Sequence, residues 1–332
     1  MPLDEILSIG RMVDPIIDDY LVKGASDPFK PILLHQFEAG GKRVRATLAI
    51  LSCEASGGSK DMGVNGAAVV ELIHNYSLLV DDIIDRGDVR RGLPTTRALY
   101  SDAMALLAAM FYRESLEELA EACRNPGEVR RLMVSTIKEL IEGERLDILM
   151  EQAGRGGYLE ESRLKEVTIR DYMDMIGKKT AALIKASCEI GCVEANAPKK
   201  VREALSNYGW SIGLAFQVVD DFLDIYGERT GKARGKDIQE HKLGNIVILY
   251  ALEALPEEDG EKLLSIIRKE SVSKGDLTEA FRLIDRTDAK DRSRSLAYKL
   301  VEEGKEDLSK LPETSAKHSL LELADFIANR TH

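Results

Sequence analysis

Helical periodicity runs through almost the whole chain and limits its fold more than any other feature. Apolar residues recur at helical spacing, and no segment shows the alternation of a half-buried strand. Aromatic residues make up only 5% of the chain and Pro occurs nine times, which favours helix. We therefore predict an all-α protein. The predicted helices span roughly 3–22, 28–37, 42–58, 62–86, 101–124, 127–151, 160–176, 178–194, 198–226, 242–255, 257–270, 276–285, 289–308 and 315–330.

Short turns separate these helices, and none resembles a long flexible linker. Gly40-Gly41, Gly57-Gly58 and Asn125-Pro126-Gly127 are examples. A chain of 332 residues is long enough to bury an extensive core. We predict one large domain over residues 1–332, with a motif-bearing core at about 25–255 and a charged helical cap at about 256–332.

Charge and composition exclude several classes of function. The formal net charge of −11 argues against general nucleic-acid binding. The N-terminus lacks the features of a signal peptide, and no apolar run approaches the ~18 residues of a membrane span. The four cysteines show no disulfide-framework spacing, which predicts reduced thiols in a cytoplasmic protein. These are Cys53, Cys123, Cys188 and Cys192.

One carboxylate pattern occurs twice, as DDIID at residues 81–85 and DDFLD at residues 220–224. Each follows a long apolar stretch. In a helix, the first and fifth residues lie on one face about 5–6 Å apart between Cβ atoms, so like charges stack. A single copy is typically a solvated helix end, but two copies beside apolar sequence indicate a bound cation. Such carboxylates suit Mg²⁺, which is commonly shared with substrate phosphates.

The basic residues are grouped as informatively as the acidic ones. GGKRVR at residues 40–45 opens a predicted helix and offers backbone N–H groups, a favourable dipole and three cations to an anion. Arg86, Arg90 and Arg91 follow the first carboxylate motif in a glycine-bounded loop, where guanidinium groups can grip phosphate oxygens. Further lysines precede or follow the second motif: Lys178, Lys179, Lys232 and Lys242. The groups together predict a diphosphate site.

In this order, the motifs resemble those of the head-to-tail trans-polyprenyl diphosphate synthases, most of all the short-chain geranylgeranyl diphosphate synthases. The matching segments are GGKRVR, Glu71 to His74 leading into DDIID, Arg90-Arg91-Gly92, Lys179-Thr180, Phe216-Gln217 and DDFLD. The resemblance implies an isoprenoid synthase fold, a single all-helical domain with a central cavity. It also implies that the two aspartate motifs face each other across the mouth of this cavity, and that the protein is a homodimer.

The resemblance further implies a role for each matched position. The aspartates would bind three Mg²⁺ ions that hold an allylic diphosphate: Asp81, Asp82, Asp85, Asp220, Asp221 and, directly or through water, Asp224. Cations would hold the same leaving group: Arg90, Lys179, Lys232 and Lys242. Thr180 and Gln217 would lie near the reacting carbon. A second set would bind isopentenyl diphosphate: Lys42, Arg45, His74 and Arg91. Arg43 has a less certain role.

The expected reaction joins isopentenyl diphosphate to dimethylallyl, geranyl or farnesyl diphosphate and releases diphosphate. Tyr76 and Ser77 precede Asp81 by about one helical turn and could form a floor beneath the growing prenyl tail. In the resembling family, an aromatic residue at this position is associated with geranylgeranyl diphosphate, a C20 product. A farnesyl (C15) or C25 product is the alternative, since Tyr76 could also be an ordinary core residue.

The chain departs from the family pattern at several positions. Ala109-Met110 stands where Gly-Asp is usual, and Met110 could reshape the tail pocket. Glu144 replaces a common Gln, and Leu243-Gly244 lacks the usual Thr after the lysine region. Two other functions are possible. A class I terpene cyclase would carry a different second metal motif, and a non-catalytic partner subunit would generally lose aspartates, whereas none is missing here.

Overall fold

The computed structural model describes residues 2–154, 156–227 and 234–329, and helix predominates in these ranges. The α-helices are α1 (Leu3–Ile9), α2 (Asp14–Val22), α3 (Lys30–Glu38), α4 (Val44–Ala55), α5 (Lys60–Ile84), α6 (Thr96–Tyr100), α7 (Asp102–Glu121), α8 (Pro126–Met150), α9 (Tyr158–Ser162), α10 (Ile169–Ile176), α11 (Ala182–Glu194), α12 (Lys199–Tyr226), α13 (Lys236–Gln239), α14 (Ile246–Ala254), α15 (Glu257–Ile267), α16 (Lys274–Ile284), α17 (Ala289–Ser309) and α18 (Ser315–Asn329). A 3₁₀ turn, Gly10–Val13, joins α1 to α2, and a π-helical segment, Gly177–Ala181, joins α10 to α11. The prediction of an all-α protein is confirmed.

The predicted helix over residues 160–176 is interrupted, because α9 ends at Ser162 and the chain becomes helical again at α10. The helix α10 begins only at Ile169, because Thr168 and Asp171 form a capping box. The Thr168 hydroxyl accepts a hydrogen bond from the Asp171 backbone N–H at 3.2 Å, and the Asp171 carboxylate accepts one from the Thr168 N–H at 3.0 Å. This reciprocal pair satisfies N–H groups that a helix start leaves unbonded.

The sequence did not predict the short elements. The glycine-bounded loop after the first carboxylate motif contains an antiparallel hairpin, β1 (Val89–Arg90) and β2 (Leu93–Pro94). The helices α6 and α13 were also missed, since neither is long enough to show a periodic pattern.

A strained residue separates α6 from α7. Ser101 has φ 115° and ψ 160°, a conformation that essentially only glycine adopts without strain. Asp102 follows it, so Ser101-Asp102 occupies a backbone position that suits the usual Gly-Asp. Ala109 and Met110 instead lie within the continuous helix α7, and the Met110 side chain is 59% exposed. The exposure of Met110 is at odds with the expectation that its side chain reshapes the tail pocket.

The chain forms two compact units. The first comprises Met1–Lys138, Leu183–Gly209 and Asp307–Leu323, and the second comprises Glu139–Ala182, Trp210–Glu306 and Ala324–His332. In the first unit, α5 packs against α4 and α7. Its buried face consists largely of small and branched apolar side chains, and the first aspartate motif lies at its C-terminal end. In the second unit, the last part of α12 carries the second aspartate motif.

The four cysteines, Cys53, Cys123, Cys188 and Cys192, are free and buried. Burial raises the pKa of the Cys53 thiol to about 11 and those of Cys188 and Cys192 to about 12. Such thiols are protonated and unreactive at neutral pH. Within the described residues, no helix combines the length and apolar character that crossing a bilayer requires.

Candidate functional site

The first aspartate motif forms the end of α5 in the first unit, with Asp85 as the residue that caps the helix. Asp82 is buried, and its carboxylate accepts hydrogen bonds from Arg90 Nε at 3.0 Å and Arg90 Nη2 at 2.8 Å. Asp81 and Asp85 are partly exposed. Arg90, which the family resemblance assigns to the leaving diphosphate, therefore contacts an aspartate of the first motif.

The turn at residues 40–45 precedes α4, but its middle cation points inward. Arg43 Nε donates a hydrogen bond to Asp14 Oδ1 at 2.8 Å, and Nη2 donates one to the Phe37 carbonyl oxygen at 3.2 Å. The guanidinium carbon lies 3.9 Å from the centroid of the Phe37 ring, and Nη1 lies 3.6 Å from Glu71 Oε1. Arg43 is thus a structural anchor, which corrects the expectation that all three cations of the turn face an anion.

The other predicted residues of the second substrate site lie near this turn. A Cβ atom added at Gly41, where φ is 149°, would lie 3.0 Å from Arg91 Nη1, so only glycine allows this approach. Burial, followed by the nearby guanidinium groups of Arg45 and Arg91, holds the pKa of His74 well below its usual range. The imidazole is therefore neutral at pH 7. The structure brings Arg45, His74 and Arg91 into one electropositive region, and Lys42 belongs to the same turn.

The two predicted chain-length residues lie on α5, upstream of Asp81. Tyr76 and Ser77 are both partly exposed, and the Ser77 hydroxyl donates a hydrogen bond to the His74 carbonyl oxygen at 2.9 Å. One turn of an α-helix contains about 3.6 residues, so both lie about one turn before the motif, as expected. Their role as a floor for the prenyl tail stays a prediction.

In the second unit, the π-helical segment Gly177–Ala181 presents Lys179 and Thr180. Single turns of π-helix occur frequently at functional sites. The helix α8 packs directly against this segment, because a Cβ atom added at Gly143 would lie only 2.3 Å from the Lys179 backbone nitrogen. Glycine at position 143 is therefore required for the two backbones to touch.

A chain of hydrogen bonds joins this segment to the second aspartate motif. The Thr180 hydroxyl donates to Gln217 Oε1 at 2.7 Å, and Gln217 Nε2 donates to Asp221 Oδ1 at 2.9 Å. The other oxygen of Asp221 accepts the Ile246 backbone N–H at 3.1 Å. Three predicted site residues, Thr180, Gln217 and Asp221, are thus held in one network.

Two predicted lysines share a carboxylate that the sequence analysis did not single out. Lys179 Nζ donates a hydrogen bond to Asp147 Oδ2 at 2.6 Å and lies 2.7 Å from Glu144 Oε2. Lys242 Nζ lies 3.5 Å from Asp147 Oδ2 and 3.3 Å from Glu240 Oε2. Burial opposes the ionisation of Asp147, but the two lysines outweigh it and lower its pKa. The spacing of Glu144 and Asp147 on one helical face was the available signal.

A carboxylate outside the second motif, that of Asp237, disfavours the charge of two aspartates within it. Asp224 accepts the backbone N–H groups of Lys236 at 3.0 Å and Asp237 at 3.2 Å, and so holds the start of α13. Burial, and then the charge of Asp237, raises the pKa of Asp224 to about 7 and that of Asp221 well above its usual range. Asp237, which the sequence analysis missed, accepts a 2.7 Å hydrogen bond from Asn245 Nδ2.

The donor chemistry of this cluster fits a hard divalent cation, which would compensate the repulsion that Asp237 exerts on Asp221 and Asp224. In residues 2–154, 156–227 and 234–329, no group of three or more His, Cys, Asp or Glu side chains has the arrangement to bind a metal ion by itself. Mg²⁺ is usually bound by one or two carboxylates together with waters and substrate phosphates. The predicted cation Lys232 lies outside the described residues.

Comparison with known proteins identifies relatives along almost the entire chain. The family model described as polyprenyl synthetase matches residues 27–284. The chain is 36% identical to the short chain isoprenyl diphosphate synthase of Methanothermobacter thermautotrophicus, over 99% of each protein. It is 34% identical to the geranylgeranyl diphosphate synthase of Methanosarcina mazei, over 99% of this chain and 98% of the relative.

One solved structure resembles this chain in both fold and sequence. The polyprenyl synthase of Caulobacter crescentus CB15, complexed with calcium and isoprenyl diphosphate, superimposes with a TM-score of 0.87 at 27% identity. The match covers 99% of this chain and 98% of that one. Further relatives are named as farnesyl diphosphate synthases and as a component of heptaprenyl diphosphate synthase. The relatives therefore differ in product length.

Proposed function

Because the chain belongs to the polyprenyl synthetase family, whose members transfer prenyl groups, we propose that it is a Mg²⁺-dependent short-chain synthase. It joins isopentenyl diphosphate to dimethylallyl, geranyl or farnesyl diphosphate and releases diphosphate. The observation that carries the proposal is the family match over residues 27–284, which contains both aspartate motifs. The calcium and isoprenyl diphosphate bound to the relative from Caulobacter crescentus support a divalent cation and this substrate class.

The first step breaks the allylic carbon–oxygen bond and yields diphosphate and a delocalised carbocation. Lys179 and Lys242 stabilise the departing anion, because preformed charge lowers the free energy of the transition state. Mg²⁺, when held by the aspartates of the two motifs, would supply further charge to the same anion. Asp81, Asp82 and Asp85 would provide ligands from the first motif, and Asp220, Asp221 and Asp224 would provide them from the second.

The carbocation is then captured by the second substrate. The oxygen atoms of Thr180 and Gln217 lie near the reacting carbon and stabilise its positive charge. Lys42, Arg45 and Arg91 bind the diphosphate of isopentenyl diphosphate, with neutral His74 as a hydrogen-bonding partner. Its double bond attacks the carbocation, and the released diphosphate accepts the proton whose loss regenerates an alkene. An apolar environment around the prenyl chain would exclude water, which would otherwise quench the cation.

The product is geranylgeranyl diphosphate. Tyr76, with Ser77 beside it, lies on α5 one turn before the first motif, where a bulky side chain limits the length of the prenyl tail. The name of the Methanosarcina mazei relative agrees with a C20 product. A farnesyl or C25 product is the outcome if another residue limits the tail.

The enzyme is a homodimer in the cytoplasm. A group of exposed apolar side chains on α6 and α7 supports the dimer, since large apolar patches commonly mark protein contacts. This apolar group comprises Leu99, Leu106, Leu107 and Met110. The four free, buried cysteines are typical of a reducing compartment.

The test is a condensation assay with the purified full chain. The protein is incubated with MgCl₂, isopentenyl diphosphate and one allylic diphosphate at a time, and product length is measured by mass spectrometry. The proposal predicts Mg²⁺-dependent formation of a C20 diphosphate, abolished by EDTA. Condensation with none of the three starters would contradict the proposal and favour a partner subunit. A cyclic hydrocarbon formed without isopentenyl diphosphate would favour a terpene cyclase.

A further inference from the structure

Two buried acids of α8 contact the same ammonium group in the second unit. Lys179 Nζ lies 2.6 Å from Asp147 Oδ2 and 2.7 Å from Glu144 Oε2. We propose that Glu144 is a tuning residue that acts through Lys179, and that its negative charge weakens the hold of this site on diphosphate. The inference rests on the proposed function, which assigns Lys179 to the leaving diphosphate.

The two acids differ in how they contact the lysine. Asp147 accepts a directional hydrogen bond from Lys179 and also lies near Lys242, so it positions both ammonium groups. The oxygens of Glu144 are buried, and neither accepts a hydrogen bond within the described part of the chain. Its contact with Lys179, at 2.7 Å, is a close charge interaction. Asp147 fixes the positions of the two lysine side chains, whereas Glu144 contributes mainly negative charge.

The close packing of two backbone segments keeps Glu144 near the lysine. Position 143 must be glycine because α8 touches the backbone of Lys179 there, with only 2.3 Å available to a Cβ atom. Glu144 follows directly on the same helix, and its side chain is 12% exposed. Little solvent is therefore available to screen its charge, and burial strengthens the interaction.

The charges around the two lysines are unbalanced. Within the described residues, Lys179 and Lys242 contact the carboxylates of Glu144, Asp147 and Glu240. An incoming diphosphate must therefore compete with more negative than positive charge. Replacing Glu144 by Gln, the residue that is common in the family at this position, would leave two carboxylates for two ammonium groups. The departure from Gln thus has a specific electrostatic consequence, a weaker hold on diphosphate and an easier release of it.

The test compares binding of inorganic diphosphate to the full-length wild type and three variants by isothermal titration calorimetry in MgCl₂. Glu144→Gln removes the charge and keeps the shape, whereas Glu144→Asp keeps the charge. Glu142→Gln is the matched control, because Glu142 lies on the same helix, is 53% exposed and pairs with Arg145. We expect Glu144→Gln to bind diphosphate about threefold more tightly or better, with the other two variants close to wild type.

Steady-state kinetics provide a readout that a general structural effect would not reproduce. Glu144→Gln should lower the KM for the allylic diphosphate and leave the KM for isopentenyl diphosphate unchanged. Equal binding by Glu144→Gln and Glu142→Gln, or tighter binding by Glu144→Asp as well, would overturn the inference while wild-type condensation still supported the proposed function. A wild type that neither binds diphosphate nor condenses the substrates would overturn both.

Discussion

Arg43 Nε donates a 2.8 Å hydrogen bond to Asp14 Oδ1 and so ties the cation-rich turn at residues 40–45 to the N-terminal helices. The backbone of Arg43 has φ 52°, a left-handed conformation that is uncommon for a residue other than glycine. Such a conformation persists when its surroundings hold it in place. The helix α2, which carries no motif, therefore supports the turn that bears Lys42 and Arg45.

Replacing Asp14 should destabilise the protein. Asp14→Asn would leave the buried Arg43 guanidinium without its charged acceptor, so we expect the free energy of unfolding to fall by about 2 kcal/mol. Urea denaturation measures this change. Asp4→Asn is the control, because Asp4 is exposed in the first turn of α1 and should change the free energy by less than about 0.5 kcal/mol. Equal losses in both variants would contradict the anchoring role.

The raised pKa of Asp224 predicts a dependence of stability on pH. Its pKa in the folded protein is about 7, above the ordinary value of 3.8, so the folded state binds the proton more tightly than the unfolded state. Stability from this group is therefore lost as pH rises from about 4 to about 7. Asp224→Asn removes the titrating group. In EDTA, the Tm of the variant relative to wild type should rise between about pH 4 and about pH 7.

Two controls accompany this experiment. Asp288→Asn, at an exposed residue, should show a constant difference in Tm from wild type across the same pH range. MgCl₂ should reduce the difference between wild type and Asp224→Asn at high pH, because a bound cation favours the ionised carboxylate. A difference in Tm that is independent of pH would contradict the assigned environment of Asp224.

The length of the product tests the role of Tyr76. Tyr76→Ala removes the ring and opens space one helical turn from the first motif, so we expect products longer than C20. Tyr76→Phe, which keeps the ring, should retain the wild-type product. Mass spectrometry of the products, with farnesyl diphosphate as the starter, distinguishes the two. If Tyr76→Ala gave the same distribution of product lengths as wild type, Tyr76 would not be the residue that limits the prenyl tail.

The exposed apolar group on α6 and α7 tests the homodimer. Leu106 and Met110 are 54% and 59% exposed and lie one turn apart on α7. Replacing both with Glu would place charges in a contact between two copies, so the molar mass from light scattering should fall from that of a dimer to that of a monomer. Leu93→Glu, at another exposed apolar residue, should leave the mass unchanged. A dimer that persists in the double variant would contradict this surface.

Most of the helical framework could be predicted because long amphipathic segments such as α5 and α12 have a clear period. The short elements could not. The hairpin at Val89–Arg90 and the helix α13 depend on a few local hydrogen bonds, including those of Asp224 to the backbone of α13. The start of α10 at Ile169 depended on one capping box, which the sequence contains as Thr168 and Asp171.

In the candidate site too, some residues could be predicted from the sequence and others could not. The motifs identified Lys179, Thr180, Gln217 and Asp221, because each has a recognisable sequence context. They did not identify Asp14, which holds Arg43, or Asp147, which contacts Lys179. They also did not identify Asp237 and Asn245, which form hydrogen bonds with the second motif. Such partners come from distant parts of the chain, and only the folded structure brings them together. The sequence also could not show that the Arg43 side chain points inward, because Arg43 belongs to a run of basic residues.

The most direct test of the account is the rate at which Asp81→Asn and Asp220→Asn variants condense isopentenyl diphosphate with an allylic diphosphate at saturating Mg²⁺. Asp61→Asn, in the first turn of α5, is the control. The account predicts that each motif variant lowers turnover by at least about tenfold, equivalent to ~1.4 kcal/mol of activation free energy, while the control keeps its rate. Near-normal turnover in both motif variants would contradict the assignment of the two aspartate motifs to metal-assisted departure of diphosphate.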